Sequence, residues 1–279
     1  VKPARKNRPP RATRPDPHSL PSAEPTVGAT MSEAAGVRYL HLDSVWVQGA
    51  MRIAEPWALE LEYIQRMMAG LLWRDSEALT EGRAVQLGLG AAALTKFCHK
   101  VLRMPTTAVE LNPSVIQACR LWFRLPDDDA RLAVLQQDAA RWVADPANRH
   151  VAQLLHVDLY DHEAAAPVLD DEDFYAACRD VLDEDGVMTV NLFGRSSSFA
   201  RSAGRVARVF GLEQVRCLRP TREGNTVLVA ARHTALPERE VLALRAAKIE
   251  ERFGLPARKW LRMIRPLDPA LVATSPAGP

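Results

Sequence analysis

The sequence predicts an α/β protein: a mostly parallel sheet with helices on both faces. Three observations point there. Apolar runs of strand length alternate with segments of helical spacing from about residue 56 to residue 253. One such run, Ala84 to Leu87, leads into Gly88-Leu89-Gly90 and then into an alanine-rich helical start. A strand, a glycine turn and a helix in that order are how such sheets approach a nucleotide. Late in the chain, "EQVRCL" and "NTVLVAAR" stand close enough to form an antiparallel pair that closes the sheet.

The elements follow in order. "VRYLHLDSVWVQGAMRI" (37–53) has two apolar stretches around Asp43-Ser44 and reads as a β-hairpin. Pro56 suits the first turn of a helix, continued at near-helical spacing from Trp57 to Leu72. After the strand at 85–87, a helix is expected from about Ala91 to Leu102. "TTAVEL" is a strand, and Asn112-Pro113 starts a helix with a cap and a first-turn proline. "LAVLQQ" and "QLLHVDL" are strands ending at Asp138 and Asp158. Asp170 or Asp171 opens a helix that stops near Gly186, "VMTVNLF" is a strand, and "SSFARSAGRVARVFG" is a helix ending at Gly211. A last helix runs from about Pro237 to Phe253, and the Pro-rich end is expected to be loose. The antiparallel ending resembles the seven-strand, Rossmann-like sheet of S-adenosylmethionine-dependent methyltransferase-like folds, here preceded by a short N-terminal β-hairpin. The expected division is a tail over 1–31, the hairpin over 32–55, a catalytic domain over 56–253 and a C-terminal extension over 254–279.

Composition bounds the function. At 47% hydrophobic and 25% charged, the 279 residues can bury a globular core, and no apolar run approaches the ~20 residues of a membrane span. Cys98, Cys119, Cys178 and Cys217 form no CxxC and read as buried thiols in a reducing cytoplasm. The seven histidines lack metal-ligand spacing, so no metal is expected. Net charge is +2, but residues 1–30 carry six basic residues against Asp16 and Glu24, a net of +4. That leaves −2 on the rest, where a nucleic-acid binder would carry its basic charge, so neither nucleic acid nor membrane is an expected partner. The basic segment is Pro/Arg-rich and cannot form a core. Since Met31 opens the patterned sequence, the segment reads as upstream sequence from a mis-assigned start; a tagged or truncated chain would equally explain Val1.

In open α/β sheets, ligands bind beyond the carboxyl ends of the strands. Gly88 and Gly90 allow close approach of a ligand, although such turns also serve plain strand-to-helix packing. Glu110 ends the next strand about twenty residues on, the spacing at which a carboxylate accepts hydrogen bonds from both ribose hydroxyls. Asp138-Ala139 ends the third strand, where Asp138 could accept from an adenine amino group, cap the helix "AARWV", or both. "VDLYD" puts Asp158 and Asp161 at the mouth, a pair suited to binding and deprotonating a cationic amine. Gln86 and Ala91 stand where many such turns carry an acid. The turn with Glu110 indicates adenosine, without favouring NAD over S-adenosylmethionine.

With these motifs together, residues 37 to 232 resemble the spermidine synthase (polyamine aminopropyltransferase) family. "YLHLDSVWVQGAMRI" followed by "LELEYIQRMM" is similar to its hairpin and the helix after it, and "VDLYD" to its Asp-x-x-Asp. "DEDFYAACRDVLDEDGVMTVNLF" looks like the segment that follows in bacterial members. The resemblance implies that Gln48 contacts the nucleoside, Tyr63 lies near the polyamine, Asp158 takes the amine proton and Asp161 holds the amine. It implies decarboxylated S-adenosylmethionine as co-substrate, a small polyamine as acceptor and a homodimer. The sequence departs from the pattern at four positions. Ala91 replaces the acid that holds the aminopropyl amine, Ile64-Gln65 replaces a Gln/His-Glu pair, and Arg222 in "RPTREGN" stands where a Tyr is usual. A cation at 222 would repel a diamine. The alternatives are a methyltransferase using intact S-adenosylmethionine, whose acceptor carboxylate Arg222 would pair with, and a non-catalytic nucleoside-binding relative.

Overall fold

The computed structural model describes residues 28–43, 46–159, 167–193 and 196–273. Two sheets organise them. The first is antiparallel, from β1 (Ala29–Ala34), β2 (Val37–Leu42) and β3 (Gly49–Arg52) in that order. The hairpin expected from the sequence is β2–β3. β1 is an added strand that begins inside the segment read as tail, so pairing starts before Met31. β1 has only one half-buried residue, Ala29, which left no apolar alternation to read.

The second sheet holds β4 (Ala84–Leu87), β5 (Thr106–Glu110), β6 (Leu132–Gln136), β7 (Ala152–Val157), β8 (Leu182–Phe193), β9 (Val215–Leu218), β10 (Asn225–Ala231) and β11 (Ile264–Pro266). Its order is β11-β9-β10-β8-β7-β4-β5-β6. β4, β5, β6, β7 and β8 run parallel, while β10 is antiparallel to both β8 and β9. The seven expected strands are present, and the eighth, β11, comes from the C-terminal extension expected to be loose. It covers the edge of β9 with a proline-ended strand that blocks further pairing.

The helices are α1 (Glu62–Met67), α2 (Ala93–Lys96), α3 (Pro113–Trp122), α4 (Ala139–Ala144), α5 (Glu172–Val181), α6 (Ser196–Phe210), α7 (Arg239–Phe253), α8 (Ala257–Leu261) and α9 (Ala270–Ala273). The caps read from the sequence are in place. Asn112 accepts from the Ser114 N–H, Asp138 from Arg141 and Asp171 from Asp173. Three helices are shorter than expected; α5 stops at Val181 rather than near Gly186, because β8 already begins at Leu182. Residues 56–61 stay irregular, because Arg52 bonds Glu55 and Glu60 across the segment and helix starts only at Glu62. After α2 the chain continues as a π-helical turn, Phe97–Val101.

Apolar side chains fill both faces of the large sheet. A third cluster joins Leu40, Leu42 and Met51 of the small sheet to Leu89, Ala92, Val115, Ala118 and Phe123. Burial of such side chains stabilises by ~1.5–3 kcal/mol each, so the small sheet is fastened to the glycine turn and α3. Arg38 adds a bond from β2 to the Trp122 carbonyl. No described helix is long and apolar enough to cross a membrane.

Candidate active site

The strand order reverses between β4 and β7, and there the two central features of the site meet. Gly88 follows β4 with φ +84°, and a Cβ placed on it would stand 2.1 Å from the Asp158 carbonyl oxygen. Only glycine fits both the angle and the contact. The Asp158 N–H donates to the Leu87 carbonyl at 2.9 Å, so the strand ends stay paired to their last residue.

The glycine turn is held from three sides. Glu110, at the end of β5, accepts from the Leu89 N–H through Oε2 and from the Asn112 N–H through Oε1, each at 2.8 Å. The sequence marks Glu110 as a ribose-binding carboxylate at a strand end. In the structure the carboxylate is half-buried and knits the turn to α3. Burial pushes its proton affinity up, and the backbone N–H donors of Asn112, Leu89 and Leu111 pull the other way. On the third side, a Cβ on Gly49 would lie 2.5 Å from the Ala91 nitrogen and 2.7 Å from its Cβ, and one on Gly90 would lie 2.9 Å from the Gln48 carbonyl oxygen. β3 therefore lies directly on the turn. Ala91 is 2% exposed and packed beside Gly49. Gln86 is also packed rather than presented; it is 3% exposed and accepts from the Thr95 hydroxyl.

Asp158 is held by side chains. Asn191 Nδ2 donates to its Oδ1 at 2.9 Å and the Tyr63 hydroxyl to its Oδ2 at 3.3 Å. Behind Asn191, Asn225 Nδ2 donates to Asn191 Oδ1 at 3.2 Å, and the Asn225 N–H donates to the Thr221 hydroxyl. Burial raises the Asp158 carboxyl above the ordinary range, and the Asn191 and Tyr63 bonds lower it in part. One layer deeper on the same face, His156 lies 2.8 Å from the Thr189 hydroxyl and 3.9 Å from Cys98 Sγ, and burial depresses its pKa to about 4.

The residues singled out in the sequence therefore fall into groups. Gly88, Gly90, Glu110, Asp158 and Tyr63 are brought together by contacts at the β4 and β7 ends, with Gln48 against the turn. Asp138 caps α4 past β6, and Ala139 is buried in the first turn of that helix. Asp161 lies outside the described residues. Arg222 is exposed, in a turn that closes from Thr221 to Asn225, and a Cβ on Gly224 of that turn would lie 3.6 Å from the Phe193 ring. Sequence reasoning missed Asn191, Asn225, Gly49, and the edge-on pair of Trp46 and Phe193, whose ring centroids are 6.2 Å apart. A glycine opening a strand was the one available signal, since it marks close backbone approach. Among the described residues no His, Cys, Asp and Glu cluster could hold a metal.

No protein-family model matches the chain. It is similar to a polyamine aminopropyltransferase of Chromobacterium violaceum, at 29% identity over 91% of this chain and 94% of that protein. A probable spermidine synthase of Corynebacterium glutamicum has the same fold, with TM-score 0.66 at 18% identity over 84% of this chain and 90% of that one. A polyamine aminopropyltransferase of Neisseria meningitidis serogroup A is 31% identical over 89% of this chain and 92% of its own length. With a likeness that spans small sheet, glycine turn and Asp158 strand alike, the chain belongs to the polyamine aminopropyltransferase family.

Proposed function

We propose that the chain transfers an aminopropyl group from decarboxylated S-adenosylmethionine to a small polyamine such as putrescine. One observation carries the reading: a carboxylate with raised proton affinity, Asp158, stands across the strand-order reversal from a glycine turn braced by Glu110. The nucleoside lies over Gly88 and Gly90. The Glu110 oxygens already take backbone N–H groups and keep lone-pair capacity for a ribose hydroxyl. Asp138 remains able to reach an adenine amino group through Oδ2, beside Ala139, and Gln48 borders the turn.

The chemistry is an in-line displacement. The neutral amine attacks the propyl carbon next to the sulfonium, the carbon–sulfur bond breaks, and methylthioadenosine leaves with the electron pair. The proton shed by the new ammonium passes to Asp158, whose burial makes it a better acceptor than an exposed carboxylate. Tyr63 borders the amine through its bond to Asp158, and Asp161 is the second carboxylate of the motif. Arg222, exposed in the turn from Thr221 to Asn225, carries a charge that weakens the hold on the second cationic end of a diamine. With Ala91 packed under β3, the aminopropyl amine is held less firmly at the turn than an acid would hold it.

Calorimetry with decarboxylated S-adenosylmethionine, intact S-adenosylmethionine, methylthioadenosine and NAD tests the reading. The decarboxylated compound and methylthioadenosine should bind, and NAD should not. Preference for intact S-adenosylmethionine would replace aminopropyl by methyl transfer.

A further inference from the structure

Asp158 is aimed by a two-amide relay. We propose that Asn191 and Asn225 are positioning residues: Asn225 fixes the orientation of the Asn191 amide, and Asn191 in turn holds Asp158 Oδ1, leaving Oδ2 toward Tyr63 and the acceptor amine. The inference rests on the transferase reading for its consequence in catalysis, but the relay itself is a property of the free protein.

The geometry is specific. An amide has one donor end and one acceptor end. Asn225 Nδ2 donates at 3.2 Å to Asn191 Oδ1, which forces Asn191 Nδ2 toward Asp158, where it donates at 2.9 Å. With the amide reversed, the Asn191 oxygen would face the carboxylate and the two would repel. Both asparagines are buried, at 2% and 9% exposure, so water competes little for these bonds. They sit on neighbouring antiparallel strands, β8 and β10, and Asn225 is anchored by its own N–H to Thr221. The relay therefore runs from the turn carrying Arg222 to the base. Among the described residues, the titratable groups facing Asp158 are Tyr63 from α1 and, one layer below on its own strand, His156, which burial keeps neutral. Glu110 is turned to the glycine loop.

The test is the titration of Asp158 in the full chain, followed by carboxyl carbon NMR and assigned by its loss in Asp158→Asn. Asn191→Leu removes a donor to the charged form, so the midpoint should rise by about one to two pH units. Asn225→Leu should raise it less. Because Asn225 acts only through Asn191, adding Asn225→Leu to Asn191→Leu should change nothing further. If Asn191→Leu does not fold, Asn191→Thr, with its hydroxyl one bond nearer the backbone, carries the same expectation. Turnover should fall about ten- to hundredfold in the Asn191 variants, with methylthioadenosine affinity unchanged. An unmoved midpoint in the Asn191 variants, or additive shifts in the double variant, overturns the relay. Absence of methylthioadenosine release by the unaltered chain would instead count against the transferase reading and leave the titration result standing.

Discussion

The ends of β4 and β7 lie side by side and are built by opposite means. The β4 end is shaped by backbone: a glycine at φ +84°, a second glycine under the Gln48 carbonyl, and a small-residue contact between Gly49 and Ala91. Its one polar brace, Glu110, spends its bonds on backbone N–H groups. The β7 end is shaped by side chains drawn from far along the chain, with Tyr63, Asn191 and Asn225 converging on one carboxylate. The first end sets where a nucleoside fits; the second sets where a proton goes. Substitutions at the two ends should therefore separate binding from turnover.

The largest separation is expected at the β7 end. Asp158→Asn keeps the size of the side chain and removes its proton acceptance, so kcat should fall by ~10²–10⁴ with methylthioadenosine affinity preserved. The same variant reports on pH. Burial raises the Asp158 pKa in the folded chain. The folded chain then holds this proton at pH values where the unfolded chain has released it, and that contribution to stability is lost as pH rises through the folded value. Asp158→Asn should thus gain stability relative to the unaltered chain as pH rises from the ordinary carboxylate value to above the raised one. The kcat of the unaltered chain should fall on the acid side, at a pH above the ordinary carboxylate range. Equal stability differences at all pH values would remove the raised affinity from the account.

At the β4 end, Glu110→Ala should weaken methylthioadenosine binding roughly ten- to hundredfold, corresponding to about 1.5–3 kcal/mol for lost bonds to a charged group. Because Glu110 also holds Leu89 and Asn112, the melting temperature should fall as well; Glu110→Gln, which retains one acceptor oxygen, should lose less of both. A smaller effect is expected at Gly49→Ala, whose methyl would press on Ala91 and cost ~1–3 kcal/mol of stability. Denaturant titration measures it, and an unchanged midpoint would show that β3 can lift from the turn. The smallest is Asp138→Ala, which removes the cap of α4 for ~1 kcal/mol. If Asp138 also meets the adenine, methylthioadenosine affinity falls with it; stability loss alone would confine Asp138 to capping.

The same contrast decides what could be read in the sequence. The β4 end was legible because its causes are local: an apolar run, two glycines, and a carboxylate at a set spacing. The sheet was legible for the same reason, through alternating periods and the caps at Asn112, Asp138 and Asp171. The Asn191–Asn225 relay was not, because an asparagine inside an apolar strand gives no sign of which strand it will face, and Asn191 and Asp158 are 33 positions apart. Ala91 illustrates the limit from the other side. As a departure from a family pattern it suggested a lost contact, whereas the structure packs it against Gly49; a glycine signals a close approach without saying to which residue. β1 and β11 were missed because strands at sheet edges carry little apolar alternation.

Aminopropyl transfer is read out by methylthioadenosine release from decarboxylated S-adenosylmethionine, measured with putrescine, spermidine and cadaverine in turn and without any amine. Release should depend on an amine, be strongest with one of these acceptors and fall to near background in Asp158→Asn. No release with any of the three, or release that Asp158→Asn leaves unchanged, would contradict aminopropyl transfer through Asp158.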